Sequence, residues 1–116
     1  MLAVCHTTMT EEREGQIIYN ASSPDELALV NFAKFVGAEF IGLDDNNSIT
    51  INLKGKILKF QLLHVLEFNS TRKRMSVIVK SPDGKIVLYT KGADSVVLER
   101  MNKNKLDILF ILIPNW

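Results

Sequence analysis

The sequence predicts an α+β domain, a mostly antiparallel sheet flanked by helices. Three observations carry that reading. Short apolar-alternating segments recur between Phe40 and Thr90, with turn residues between them. One segment, Ser22-Ser23-Pro24-Asp25-Glu26, is a helix start. The chain has 116 residues, 47% of them hydrophobic, enough for one domain with one core.

Along the chain, Thr7 to Gly15 is polar and reads as a loop. Gln16 to Ala21 is a short strand through Ile17, Ile18 and Tyr19. Ser23 then caps a helix. Pro24 suits its first position, and Glu26 stands three residues past the cap, as a capping box requires. Asp25 and Glu26 also suit the positive end of the helix dipole. Leu27, Val30, Phe35 and Val36 give a partial stripe, widened by Leu29, Phe32 and Ala33, and Gly37 ends the helix.

Phe40-Ile41-Gly42 is a strand and Asp44 to Asn47 a turn. Ser48 to Leu53 alternates, with Ile49, Ile51 and Leu53 on one face. Lys54-Gly55-Lys56 turns the chain. Ile57 to Phe68 reads as one long strand with Leu58, Phe60, Leu62, Leu66 and Phe68 on one face. Met75 to Lys80 and Ile86 to Thr90 form a hairpin about the turn Ser81-Pro82-Asp83-Gly84. Gly92 to Met101 reads as a second helix. No internal repeat or low-complexity linker is present.

The net charge of +1 argues against a general polyanion binder, and no nucleic-acid partner is expected. A single cysteine, Cys5, permits no disulfide within the chain and fits a reducing compartment. His6 and His64 lack the partners and spacing of a metal site, so no metal ligands are expected. His64 reads as a structural or partly exposed strand residue. The first six residues lack the features of a signal peptide. Leu106 to Ile113 is apolar apart from Asp107, yet shorter than the roughly 20 residues a membrane helix needs. It reads as a core segment or an end whose packing partner is missing.

There is no GxxxxGK[ST], GxGxxG or GxSxG motif, and no Cys–His pair for nucleophilic catalysis. Three segments remain. Ser23-Pro24-Asp25-Glu26 is sufficient as a cap, and its carboxylate could also accept from the exocyclic amine of a base. In Glu67 to Val77, Phe68 reads as core or as a stacking surface. Arg72-Lys73-Arg74 there is a solvated turn or a phosphate contact. In Lys91-Gly92-Ala93-Asp94, the lysine is an exposed residue before a helix, or it lies beside small residues that let a ligand approach the backbone.

Together these segments resemble the nucleotide-binding domain of type IV P-type ATPases, the phospholipid flippases. The matching residues are Ser23 to Val30, Glu67 to Val77 and Lys91 to Asp94, in family order and spacing, with Cys5-His6-Thr7 ahead of them. The resemblance covers about residues 3–102. It implies that Phe68 stacks on adenine and that Glu26 contacts the adenine amine or orders the pocket. It also implies that Lys91 lines the back of the pocket, Lys73 reaches toward the phosphates, Ser70 adds a polar contact, and Gly92 and Ala93 keep the pocket open. The implied cofactor is ATP with Mg²⁺ brought by the nucleotide. The implied partners are the phosphorylation and actuator domains of a full-length ATPase, with the membrane reached only through its transmembrane part. The site would face the cytosol.

The family's Asp-Lys-Thr-Gly-Thr motif, whose aspartate accepts the phosphoryl group, is absent from these residues, as is an arginine expected further along. No catalytic residue is therefore expected. Residues 1–102 read as a partial ATP-binding cytosolic domain and 103–116 as a non-matching tail. The expected function is that of an ATP-binding fragment of a phospholipid-translocating ATPase, inactive alone. The alternatives are a non-catalytic nucleotide-binding or interaction module, and a truncated product without function.

Overall fold

The structure, a computed structural model, describes residues 1–101 and the backbone of 112–113. The expectations for the 103–116 tail and for Leu106 to Ile113 otherwise lie outside the described residues.

The chain opens with a buried segment, Ala3-Val4-Cys5-His6, and then forms a hairpin. Strand β1 (Met9–Arg13) pairs antiparallel with β2 (Gln16–Asn20). The Thr7–Gly15 loop expected from the sequence is thus half strand. The reason lies in its turn. Glu14 and Gly15 both take positive φ, 51° and 76°, which gives the two-residue turn whose twist matches a hairpin. β1 itself is largely solvated and has no apolar alternation to reveal it. Its partner strand supplies the anchor. Tyr19 is buried, its hydroxyl donates to the Phe40 carbonyl at 2.7 Å, and its ring stacks on Phe40.

Helix α1 (Pro24–Phe35) starts where the sequence predicts, but the Glu26 carboxylate turns to Thr7 and Lys91 instead of closing the capping box. The Ser23 hydroxyl accepts from the Glu26 N–H, and Pro24 opens the first turn. Its inward stripe is narrower than expected: Glu26, Val30 and Ala33 are buried, while Phe35 is 87% exposed. At about 100° per residue, position 35 lies half a turn around from position 26 and points away from the sheet. Val36 and Phe32 are exposed too.

The main sheet runs β3 (Ala38–Leu43), β4 (Ser48–Leu53), β5 (Lys56–Leu66), β6 (Arg74–Lys80), β7 (Ile86–Ala93) and β8 (Leu112–Ile113), in that spatial order. The first five are antiparallel neighbours, and β8 pairs parallel to β7. Helix α2 (Asp94–Arg100) packs on β7. Each antiparallel neighbour follows directly in sequence, so short turns suffice to build most of the sheet.

Two expected boundaries shift. β5 does not run to Phe68. A bulge between Leu62 and His64 reverses the alternation, so Val65 rather than Leu66 joins Leu58, Phe60 and Leu62 against the core. Leu63 is left exposed, as is His64. The strand ends at Leu66, which leaves Phe68 in the following loop. The second helix starts at Asp94, not Gly92, because Gly92 pairs with Arg74 and the Ala93 N–H donates to the Lys73 carbonyl at 3.0 Å.

The core gathers Val77 and Val79 from β6, Ile49 and Ile51 from β4, Phe40 from β3, Val30 and Ala33 from α1, and Ala3, Val4 and Cys5 from the N-terminal segment. No helix among the described residues is long and apolar enough to cross a membrane.

Candidate functional site

At one edge of this core a cavity of about 310 Å³ opens, lined by Thr7, Ser22, Ser23, Glu26, Glu67, Phe68 and Met75. Four elements meet there: the N-terminal segment, the start of α1, the loop after β5 and the start of β6. The capping geometry of α1 explains why Ser23 and Glu26 share the wall, since both belong to its first turn. Phe68 is 38% exposed, so its ring is neither buried in the core nor fully in water. Met75 beside it is buried and gives the wall an apolar, deformable surface.

Glu26 gives the cavity its charged floor, and Lys91 backs it from the core. The Lys91 side chain is 1% exposed, and its Nζ lies 3.7 Å from Glu26 Oε1. Lysines are almost never buried to this degree unless paired. The same carboxylate accepts the Thr7 N–H on Oε1, and the Thr7 hydroxyl lies 3.3 Å from Oε1 and 3.2 Å from Oε2. Burial lowers the Lys91 pKa from its ordinary value, while Cys5 and Glu26 pull it back up.

Behind this pair sits a buried layer. Burial pushes the Cys5 thiol up to about 11, despite the nearby Lys91 charge, so Cys5 is a thiol packed in the core. Its Sγ approaches the Tyr89 carbonyl at 3.6 Å. Burial also lowers His6 to about 4. Its two hydrogen bonds assign the neutral tautomer. Nε2–H donates to the Ala3 carbonyl at 2.8 Å, and Nδ1 accepts the Thr8 N–H at 3.0 Å.

The loop that carries Phe68 is shaped by its own polar groups. Asn69 Oδ1 accepts from the N–H groups of Thr71 and Arg72, and the Asn69 carbonyl accepts from Lys73 N–H. The Arg72 guanidinium donates to the Glu67 carbonyl at 2.7 Å. Lys73 closes the loop at a positive φ of 51°.

Comparison with known proteins decides what this arrangement belongs to. The family described as P-type ATPase, cytoplasmic domain N matches residues 1–106. The chain is a member of that family. Among the curated relatives of this N domain is human phospholipid-transporting ATPase IC, 50% identical over 103 residues, covering 89% of this chain and 8% of the relative. Mouse phospholipid-transporting ATPase IK is 48% identical over 101 residues, covering 87% of this chain and 8% of the relative. Phospholipid-transporting ATPase DNF1 of Chaetomium thermophilum is 47% identical over 107 residues, covering 90% and 7%. The chain therefore spans less than a tenth of the length of these relatives.

Within the N domain, the residues singled out from sequence divide into two groups. Glu26 and Phe68 lie on the cavity wall, and Lys91 stands behind Glu26 through their ion pair. Ser70 and Lys73 are exposed on the loop and are not wall residues. Gly92 and Ala93 are not on the wall either. A Cβ at Gly92 would meet the Arg74 Cβ and the Lys73 carbonyl oxygen, each at 2.6 Å, so the missing side chain makes room for the Lys73–Arg74 backbone.

Thr7, Ser22, Ser23, Glu67 and Met75 also line the cavity but were not singled out as ligand-site residues. Thr7, Ser23, Glu67 and Met75 stand inside the resembling motifs, which is the signal available for them. Ser22 and Ser23 belong to the helix start, whose capping role masked any other.

Proposed function

We propose that this N domain binds ATP and serves a phospholipid-translocating P-type ATPase by presenting the nucleotide to a phosphorylation domain elsewhere in the full-length protein. The observation that carries the reading is that Phe68 and Glu26 line one cavity of about 310 Å³. That volume is at the lower end of ligand pockets, which run from about 300 Å³, and suits a base with its sugar and phosphates outside. Phe68 supplies a ring face for stacking, worth about 1–3 kcal/mol per base. Glu26 supplies a carboxylate acceptor for the adenine amine.

Lys91 holds Glu26 in place from behind through their ion pair. Lys73 and Ser70 are exposed on the loop that carries Phe68, and in this reading they serve the phosphates or sugar rather than the base. Gly92 and Ala93 act one step further back. They let β7 lie against the Lys73–Arg74 turn and so hold that loop. No group of three or more His, Cys, Asp or Glu among the described residues could hold a metal ion. Mg²⁺ would arrive on the phosphates, as is usual for nucleotide sites.

The domain needs no nucleophile for this role. In-line phosphoryl transfer rests on positioning and charge stabilisation, and the acceptor aspartate belongs to the phosphorylation domain. By the same reading the actuator domain is a further partner, and the site faces the cytosol beneath the membrane part of the whole protein.

Titration of the isotopically labelled chain with Mg-ATP tests this. Amide shifts centred on Thr7, Glu26 and Phe68 are expected. A folded sample with no shift there at millimolar ATP refutes the reading.

A further inference from the structure

We propose that Thr7 is a positioning residue that sets base specificity. It holds the Glu26 carboxylate so that Oε2 accepts the 6-amino group of a purine. The inference rests on the nucleotide reading above and adds a residue and a discrimination to it.

Thr7 grips Glu26 twice. Its backbone N–H donates to Oε1, and its hydroxyl lies at 3.3 Å from Oε1 and 3.2 Å from Oε2. A hydroxyl has one proton, so it spans the two oxygens rather than bonding each fully. Lys91 approaches Oε1 from within the core at 3.7 Å. The N–H and the ammonium thus load Oε1. An ionised carboxylate offers about four acceptor sites, so the capacity left for a ligand is chiefly on Oε2.

Thr7 is itself fixed on both sides. The neutral His6 ring binds the Ala3 carbonyl through Nε2–H and the Thr8 N–H through Nδ1, and it packs edge-on against Phe40 with centroids 4.3 Å apart. The residue between His6 and Thr8 therefore has little freedom. Glu26 has three side-chain torsions. Without the hydroxyl it could turn about Oε1 while keeping the N–H bond and the ion pair. A site is only as selective as the shell that holds its polar groups.

The chemistry follows from the acceptor. A fixed carboxylate rewards a base that donates at position 6 and rejects one with a carbonyl there, because two acceptors would face each other in a partly buried site. Adenine donates at that position and guanine does not.

The test measures dissociation constants of the 116-residue chain for Mg-ATP and for purine riboside 5′-triphosphate, which lacks the 6-amino group. Wild type, Thr7→Val and Thr7→Ser are compared. Valine keeps the shape and backbone N–H and removes the hydroxyl. We expect Thr7→Val to weaken ATP roughly 3–10-fold, below the range for a hydrogen bond to a charged group because this one is long and shared between two oxygens. Its affinity for purine riboside triphosphate should change less than about twofold, within the spread for a surface change. Thr7→Ser should restore the preference for ATP.

Equal weakening of both nucleotides, or weakening of neither, overturns the proposal, since a structural role would not separate them. If Thr7→Val fails to fold, Thr7→Ala replaces it, and failure of both marks Thr7 as structural and also overturns the proposal. Wild type that binds both triphosphates equally defeats the assignment of Glu26 to the amine but leaves nucleotide binding standing. Wild type that binds neither defeats the nucleotide reading and this inference with it.

Discussion

Replacing Glu26 by Gln should take from a buried cation the carboxylate it is paired with, and the structure lets the cost be bounded. Lys91 is 1% exposed at its side chain, and its Nζ lies 3.7 Å from Glu26 Oε1. At an effective dielectric of about 20, unit charges at that separation attract by about 4–5 kcal/mol. Removing one partner of a buried pair costs about 3–5 kcal/mol in general. A second limit is independent of the dielectric. Lys91 can escape by losing its proton. From an ordinary pKa of 10.5, that escape costs about 5 kcal/mol at about pH 7 and about 1.4 kcal/mol at about pH 9.5.

Glu26→Gln should therefore lose about 3–5 kcal/mol near pH 7, a large share of the 5–15 kcal/mol that holds a domain together, and much less near pH 9.5. The double variant Glu26→Gln/Lys91→Met should recover more than half of the loss, because it removes the buried cation together with its carboxylate. Urea melts of the 116-residue chain at the two pH values measure this. A slope of about 1–3 kcal/mol per molar puts the midpoint shift above about 1 M. A loss under about 1 kcal/mol near pH 7, or one of the same size near pH 9.5, would show that Glu26 is not what makes a buried Lys91 tolerable.

Three further outcomes are expected. His6 is held neutral with a pKa of about 4 in the fold against an ordinary 6.5. The unfolded chain thus takes up its proton first as pH falls. His6's contribution is complete above about pH 6.5, shrinks by about 2 kcal/mol by about pH 5, and is gone below about pH 4. Melts of wild type and His6→Asn across that window should differ in slope, and parallel curves would refute it. Gly92→Ala puts a Cβ 2.6 Å from the Lys73 carbonyl oxygen. It should destabilise by about 1–3 kcal/mol by overpacking, read as a lowered midpoint; an unchanged midpoint would mean that the loop yields. Phe68→Ala should weaken ATP by roughly 5–150-fold, the loss of one stacked base. It should shift the melt little, since the ring is 38% exposed; a collapse of the fold would assign the ring to the core.

Much of the fold could be read from local chemistry. Ser23, Pro24 and Glu26 are separated by the spacing of one helical turn, and the cap they form involves only near neighbours. Ile49 and Ile51 alternate, and both are buried. Ser81 to Lys85 turns on its own hydrogen bonds. In each case the partners stand within a few residues, so spacing along the chain is spacing in space.

The errors arose where the partner is distant. β1 has no pattern of its own and is a strand because β2 folds back on it through Glu14-Gly15. The β5 alternation breaks at a bulge that depends on register with β6. Gly92 read as the start of a helix because the backbone it must clear, at Lys73 and Arg74, is eighteen residues or more away in sequence.

The candidate site divides along the same line. Residue types left Glu26, Phe68 and Lys91 open between structural and binding roles, and the resemblance of their three segments to the family turned the reading toward a base and its phosphates. Which of them meet was settled by packing. Thr7 and Lys91 reach Glu26 across 19 and 65 residues of chain, and burial turns that lysine from a surface cation into the counter-charge of the cavity floor. Contact and desolvation are properties of pairs and of their surroundings. They exist only once α1, the loop after β5 and the end of β7 have been brought together.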